Sequence, residues 1–199
     1  SECLVRSEMC IRDSLIARPV TQLYSTPEKS PITSWAYSIL GQIYVVLPLA
    51  LLGVWGYKSD YQLFMNTEYL LMALFVFVWT NDTGAYIVGC TLGKHRLFER
   101  ISPKKSWEGF FGGLAFCIIL ASLANYIIPG MLSTAQWIGM GILTSIFSTW
   151  GDLCESLLKR TAGVKDSGKI LPGHGGILDR FDSELIASPV IFIYLTFVL

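Results

Sequence analysis

The sequence predicts an all-α, polytopic transmembrane helical bundle with about five spans. Three observations predict it. Hydrophobic side chains make up 52% of 199 residues, mean hydropathy is +0.51, and the charged residues are concentrated between long apolar runs. A bilayer core ~30 Å thick needs roughly 20 apolar helical residues to cross it. A large soluble helical core would instead require polar faces at helical period, and the run from Phe110 to Gly130 offers almost none.

Taken in order, residues 1–34 form a non-core N-terminal segment and residues 35–199 a membrane-embedded domain. The charged stretch Ser1–Arg18 lacks the apolar centre of a signal peptide. Glu8–Ser14 resembles a translated adaptor peptide, so residues 1–14 are expected not to be native. The chain also stops inside the apolar run Phe192–Leu199 and is expected to be truncated at both ends. The five spans are about Ile39–Gly56, Tyr69–Gly89, Gly109–Ile128, Gln136–Leu153 and Leu185 to the end. Small residues within them, such as Gly112, Gly113, Ala115, Gly139 and Gly141, fit close helix packing in lipid. Cys3, Cys10, Cys90, Cys117 and Cys154 are odd in number, scattered and without a CxxC pair, and read as reduced, small apolar residues.

Equal numbers of basic and acidic residues, 15 each, hide a local asymmetry. Lys94, Arg96, Arg100, Lys104 and Lys105 crowd the connection after the second span, and Lys159, Arg160, Lys165, Lys169 and Arg180 the one after the fourth. The positive-inside rule puts both connections in the cytoplasm, and the uncharged loop Pro129–Ala135 outside. His95 reads as an ordinary loop residue.

Several polar groups sit where lipid should be. Asp82 falls within the second span, where an unpaired carboxylate costs about 2.5 to 3.5 kcal/mol or more. A polar cavity lined by Asn81, Asp82 and Thr83 accommodates it, and pairing with a loop lysine is the alternative. Asp152 and Glu155 end the fourth span, while Asp179 and Asp182, three apart, share a face just before the fifth if that segment is helical. Such carboxylates are hard oxygen ligands suited to Mg²⁺. Ordinary charge pairing with Lys159, Arg160 or Arg180 would also explain them.

Between Ser156 and Asp182 the sequence reads SLLKRTAGVKDSGKILPGHGGILDRFD, mixing bases, acids (Asp166, Asp179, Asp182) and a glycine-rich turn, Pro172–Gly176. These are ingredients for holding phosphates and divalent cations. His174, flanked by Gly173 and Gly175, is read as a phosphate contact rather than a proton carrier. No GxxxxGK[ST], GxSxG, HExxH or GxGxxG motif occurs, which removes the common nucleotide, hydrolase, zinc and dinucleotide readings.

This run resembles the diagnostic pattern of the phosphatidate cytidylyltransferases, or CDP-diacylglycerol synthases, without departure. Asn81–Tyr86, Ser102–Gly109 and Gly151-Asp152 resemble that family's other motifs in order, so the resemblance runs from about Val78 to Asp182. The family's usual additional N-terminal spans are not found. The resemblance implies the reaction of CTP with phosphatidate to give CDP-diacylglycerol and pyrophosphate. It implies one or two Mg²⁺ ions held by Asp152, Asp179 and Asp182, with a monovalent cation such as K⁺ as a further candidate. Asp152, Asp179, Asp182 and Lys105 are then catalytic, and Asp82, Lys104, Lys159, Arg160, Lys165, Asp166, Lys169, His174, Gly175 and Arg180 contact substrate. Membrane lipids are expected as surroundings, a homodimer as assembly, a bacterial inner membrane as location with the site facing the cytoplasm, and no nucleic acid as partner. Two competing readings are a CTP-dependent lipid kinase of the dolichol-kinase type and an ion or phosphate transporter. Transporters usually carry internal repeats, and the sequence has none.

Overall fold

The apolar runs become long helices in the computed structural model, which describes residues 31–56, 67–164, 167, 176 and 178–198. Residues 1–68 and 69–199 form two compact units. In the first, α1 (Pro31–Gly41) runs through a wider π-helical stretch, Gln42–Val46, into α2 (Leu47–Gly56). Leu47 donates its N–H to the Gln42 carbonyl five residues back. Pro48 follows directly; it has no N–H to give and crowds the carbonyl four residues before it, so the ladder widens there.

The second unit contains α3 (Thr67–Leu92) from Tyr69 onward, β1 (Arg96–Phe98), β2 (Ser102–Ser106), α4 (Trp107–Ile127), α5 (Thr134–Thr161) and α6 (Leu178–Val198). α5 packs against both α4 and α6. Glycines set the close approach of the helices: a Cβ on Gly112 would lie 2.5 Å from Val88 Cβ, one on Gly113 2.5 Å from Asn81 Oδ1, and one on Gly141 3.1 Å from the Cys117 carbonyl. The predicted packing role of Gly112, Gly113 and Gly141 is thus observed, and Gly84 joins them against Phe116.

Helix ends follow capping chemistry. Ser106 caps α4 by accepting from Gly109 N–H, and Ser133 and Gln136 form a reciprocal capping box at the start of α5. α5 stops where Gly163 takes a positive φ of 70°. There Gly163 N–H donates to Arg160 O and Val164 N–H to Lys159 O, the paired bonds of a Schellman motif.

Among the described residues, four helices are long and apolar enough to cross a membrane: Trp35–Gly53, Glu68–Leu92, Trp107–Ile127 and Leu178–Val198. The fourth predicted span, Gln136–Leu153, lies in α5 and is not among them. The reason is its position. α5 buries Thr144, Ser145, Ser148 and Thr149 inside the bundle, where neighbouring helices rather than lipid surround them. The outer surface is apolar instead, with Trp79, Tyr86, Phe111, Ile119 and Phe197 exposed. Apolar side chains facing outward around a partly polar interior are what a bilayer solvent selects.

Candidate active site

The sequence expectation of a polar centre around Asn81 is met by a network between helices. Buried Asn81 on α3 donates to Ser148 Oγ (3.1 Å) and Thr149 Oγ1 (3.3 Å) on α5 and accepts from Ser145 Oγ at 2.6 Å. This network fixes the next residue, Asp82, at the edge of a cavity of about 600 Å³. Its lining includes Asn81, Asp82, Arg96, Lys104, Lys105, Thr149 and Asp152. Thr83 is a correction: it is exposed, gives its hydroxyl to the Trp79 carbonyl and lies away from the cavity.

The basic connection after α3 is a hairpin rather than a plain loop. β1 and β2 pair antiparallel with Arg96 opposite Ser106 and Phe98 opposite Ser102. Four residue steps on β2 therefore span two on β1, and the surplus bulges at Pro103, Lys104 and Lys105. A bulge redirects side chains, and proline, lacking an N–H, is tolerated there. Lys104 and Lys105 are brought to the cavity, and Lys105 Nζ meets Asp152 Oδ2 at 2.5 Å. That ion pair ties the hairpin to the C-terminal half of α5. Asp152 also accepts from Ser156 Oγ at 3.2 Å. His95 is more than a loop residue: its Nδ1 lies 2.7 Å from Glu108 Oε1.

A second group of charges adjoins the first. Lys159 Nζ contacts Asp179 Oδ1 at 2.8 Å and Glu155 Oε1 at 3.3 Å. Asp179 further accepts from Ser167 N–H (2.9 Å), Ser167 Oγ (3.0 Å) and Gly176 N–H (2.8 Å). Pairing with Lys159, the alternative weighed from sequence, is therefore what Asp179 and Glu155 display. Burial opposes the charge on Lys159, but its bonds to Asp179 and the Glu155 charge outweigh this and raise its pKa. Burial, then the neighbouring Asp182 carboxyl, pushes Glu155 above the usual carboxylate range, with Lys159 pulling the other way.

Asp182 begins the link between the groups. It accepts from Ser183 N–H at 2.6 Å and lies within electrostatic reach of Asp152 and Glu155. Gly151 on α5 makes this possible, because a Cβ there would stand 2.6 Å from the Asp182 carbonyl oxygen. Asp179 and Asp182 are indeed in one helix, α6. Arg160 is exposed on the last turn of α5 and Arg180 on the first turn of α6, and neither lines the cavity. Lys165, Asp166, Lys169, His174 and Gly175 lie outside the described residues.

Two acids were missed as site residues from sequence. Glu155, one of the four carboxylates read as suited to Mg²⁺, was given no role of its own, yet it is 1% exposed and contacts Lys159 Nζ at 3.3 Å. Glu184, also buried, lies within electrostatic reach of Asp182 and Asp82. The spacing of Asp152, Glu155 and Lys159 puts Glu155 on one helical face with the other two. The carboxylates at this end offer oxygen ligands, the kind a hard divalent cation takes. In the structure Lys105 and Lys159 supply the positive charge, and among the described residues no three His, Cys, Asp or Glu side chains converge as a metal cluster.

Fold and site together define a polytopic integral membrane protein with a charge-lined polar cavity at one end of its helical bundle. Sequence comparison narrows this class: the model of the "Cytidylyltransferase family" matches residues 4–198, and the chain belongs to that family. The match extends well beyond the motif-bearing stretch from Val78 to Asp182. Similar curated proteins are the phosphatidate cytidylyltransferase of Staphylococcus aureus (strain COL), 41% identical over 160 residues, and that of Staphylococcus haemolyticus (strain JCSC1435), 41% identical over 159 residues. The namesake from Staphylococcus epidermidis (strain ATCC 12228 / FDA PCI 1200) is 40% identical over 159 residues. Each alignment covers 80% of this chain and 61% of the relative, so the chain spans about three fifths of their length.

Proposed function

We propose that this chain carries the active site of a phosphatidate cytidylyltransferase, which converts CTP and phosphatidate to CDP-diacylglycerol and pyrophosphate. The observation that carries the reading is the cavity in which Lys104, Lys105 and Asp152 meet Asp82 at the charged end of an apolar bundle. It offers cations for a polyphosphate beside a membrane surface from which a lipid head could enter. The names of the relatives support the same activity.

In this reading a phosphate oxygen of phosphatidate attacks the α-phosphorus of CTP, and the bond from that phosphorus to the bridging oxygen of pyrophosphate breaks. An ionised phosphate monoester needs no strong general base. Lys104 and Lys105, with Lys159, Arg160, Lys165, Lys169, His174 and Arg180, neutralise and orient the phosphates, while Asp82 lines the entry of the lipid head. Gly175 allows backbone N–H groups to approach a phosphate, and Asp166 contacts substrate in the same reading. Asp152, Asp179 and Asp182 would hold one or two Mg²⁺ ions, which when bound offset triphosphate charge and favour departure of pyrophosphate. The family resemblance adds a monovalent cation such as K⁺ and a homodimer to the proposal. The clustering of Lys94, Arg96, Arg100, Lys159 and Arg160 supports a cytoplasmic site, and the bacterial relatives support an inner-membrane location.

Product analysis tests the reaction. The protein in detergent micelles, given CTP and phosphatidate, is expected to yield CDP-diacylglycerol by mass spectrometry. Formation of CDP and a newly phosphorylated lipid would instead establish the kinase reading.

A further inference from the structure

The bulged strand β2 delivers Lys104 and Lys105 to the cavity, yet a short two-stranded ribbon has little stability of its own. Something must hold its base. Glu108, in the first turn of α4, does so through His95, the residue just before β1. His95 N–H lies 3.2 Å from both Glu108 carboxylate oxygens, and His95 Nδ1 lies 2.7 Å from Oε1. The neighbouring Trp107 N–H donates to the His95 carbonyl at 3.0 Å. Backbone and side chain of His95 are thus both fastened to the helix that β2 enters, closing the hairpin at its open end. Glu108 itself does not line the cavity.

We propose that Glu108 is a positioning residue, which acts through His95 to hold the bulged lysine strand over the cavity and so sets affinity for the nucleotide triphosphate. The simpler role for an acid at this position is a favourable charge near a helix N-terminus. The two roles differ in what glutamine can replace. Glutamine keeps an oxygen acceptor for His95 N–H but loses the charge; alanine loses both. The proposal rests on the nucleotidyl-transfer reading for its kinetic part, but not for its structural part.

The experiment compares Glu108→Ala, Glu108→Gln, His95→Ala and the double alanine variant in the full protein. Glu108→Ala is expected to raise KM for CTP about 3- to 10-fold, with a smaller effect on kcat and on KM for phosphatidate. Glu108→Gln should stay within about 2-fold of the parent, and the double variant should be no worse than the worse single one. Backbone hydrogen exchange across residues 96–106 should speed about 10-fold or more in Glu108→Ala and not in Glu108→Gln. Equal loss in the glutamine and alanine variants, additive loss in the double variant, or unaltered exchange in Glu108→Ala would overturn the proposal. If the parent itself releases no pyrophosphate, the functional reading fails, and the exchange comparison still decides whether Glu108 holds the hairpin.

Discussion

Gly151→Ala puts the positioning of the acidic site to a quantitative test. The added Cβ would stand 2.6 Å from the Asp182 carbonyl, 3.0 Å from that of Ser183 and 3.1 Å from Ser183 Cα, all backbone atoms that cannot rotate aside. Ordinary contact begins near 3.4 Å, so the start of α6 must retreat by about 0.8 Å from α5. Overpacking of this kind costs about 1 to 3 kcal/mol. At about 2 to 4 °C per kcal/mol for a chain of this size, the variant should unfold roughly 2 to 12 °C lower. The chemical effect should be larger, because Asp182 moves away from Asp152 and Glu155, and misplacement near 1 Å costs on the order of 100-fold in rate. Thermal unfolding in detergent, measured beside CTP- and phosphatidate-dependent pyrophosphate release, reads both. Gly53→Ala, where nothing lies within 4 Å, is the control and should change neither. Parental stability and turnover in Gly151→Ala would refute the claim that this close approach assembles the site.

The remaining expectations concern the polar core and the lysines. Asn81→Leu removes three bonds between α3 and α5; at about 0.6 to 1.7 kcal/mol each in a membrane bundle, denaturation should show a loss of about 2 to 5 kcal/mol. Lys105→Ala should lower turnover on the order of 100-fold by removing a phosphate contact, with Lys105→Arg keeping part of the rate in steady-state assays. Lys159→Met should leave Glu155 and Asp179 without their ammonium partner and reduce turnover by a comparable factor, read in the same assay. Substitution of Arg160, exposed and away from the cavity, should have the smallest kinetic effect of the proposed contacts.

The spans were legible because hydropathy reports the lipid-facing surface: Tyr69–Gly89 was read where α3 covers Thr67–Leu92, and Gly109–Ile128 where α4 covers Trp107–Ile127. Helix ends were less legible because caps, not apolarity, set them. α5 runs on through Asp152, Glu155 and Lys159 until Gly163 stops it, and α6 begins at Leu178 rather than at Leu185. The site acids consequently stand on helices, not in loops. Asn81 announced itself by its place in an apolar run, but its partners lie more than 60 residues away and no local pattern points to them. The hairpin was hidden for a related reason: its strands are short and basic, and its closure depends on a contact from His95 to Glu108. The pairing of Lys105 with Asp152 likewise joins segments that only the folded bundle brings together.

The most direct test of the whole account is pyrophosphate release from CTP by the protein in phosphatidate micelles, with and without Mg²⁺, beside its Asp179→Ala and Asp182→Ala variants. The account predicts release that requires phosphatidate, ceases when EDTA removes the divalent cation, and is lost in both variants while they remain folded. Release that persists in either folded variant, or none from the parent under any condition, would contradict it.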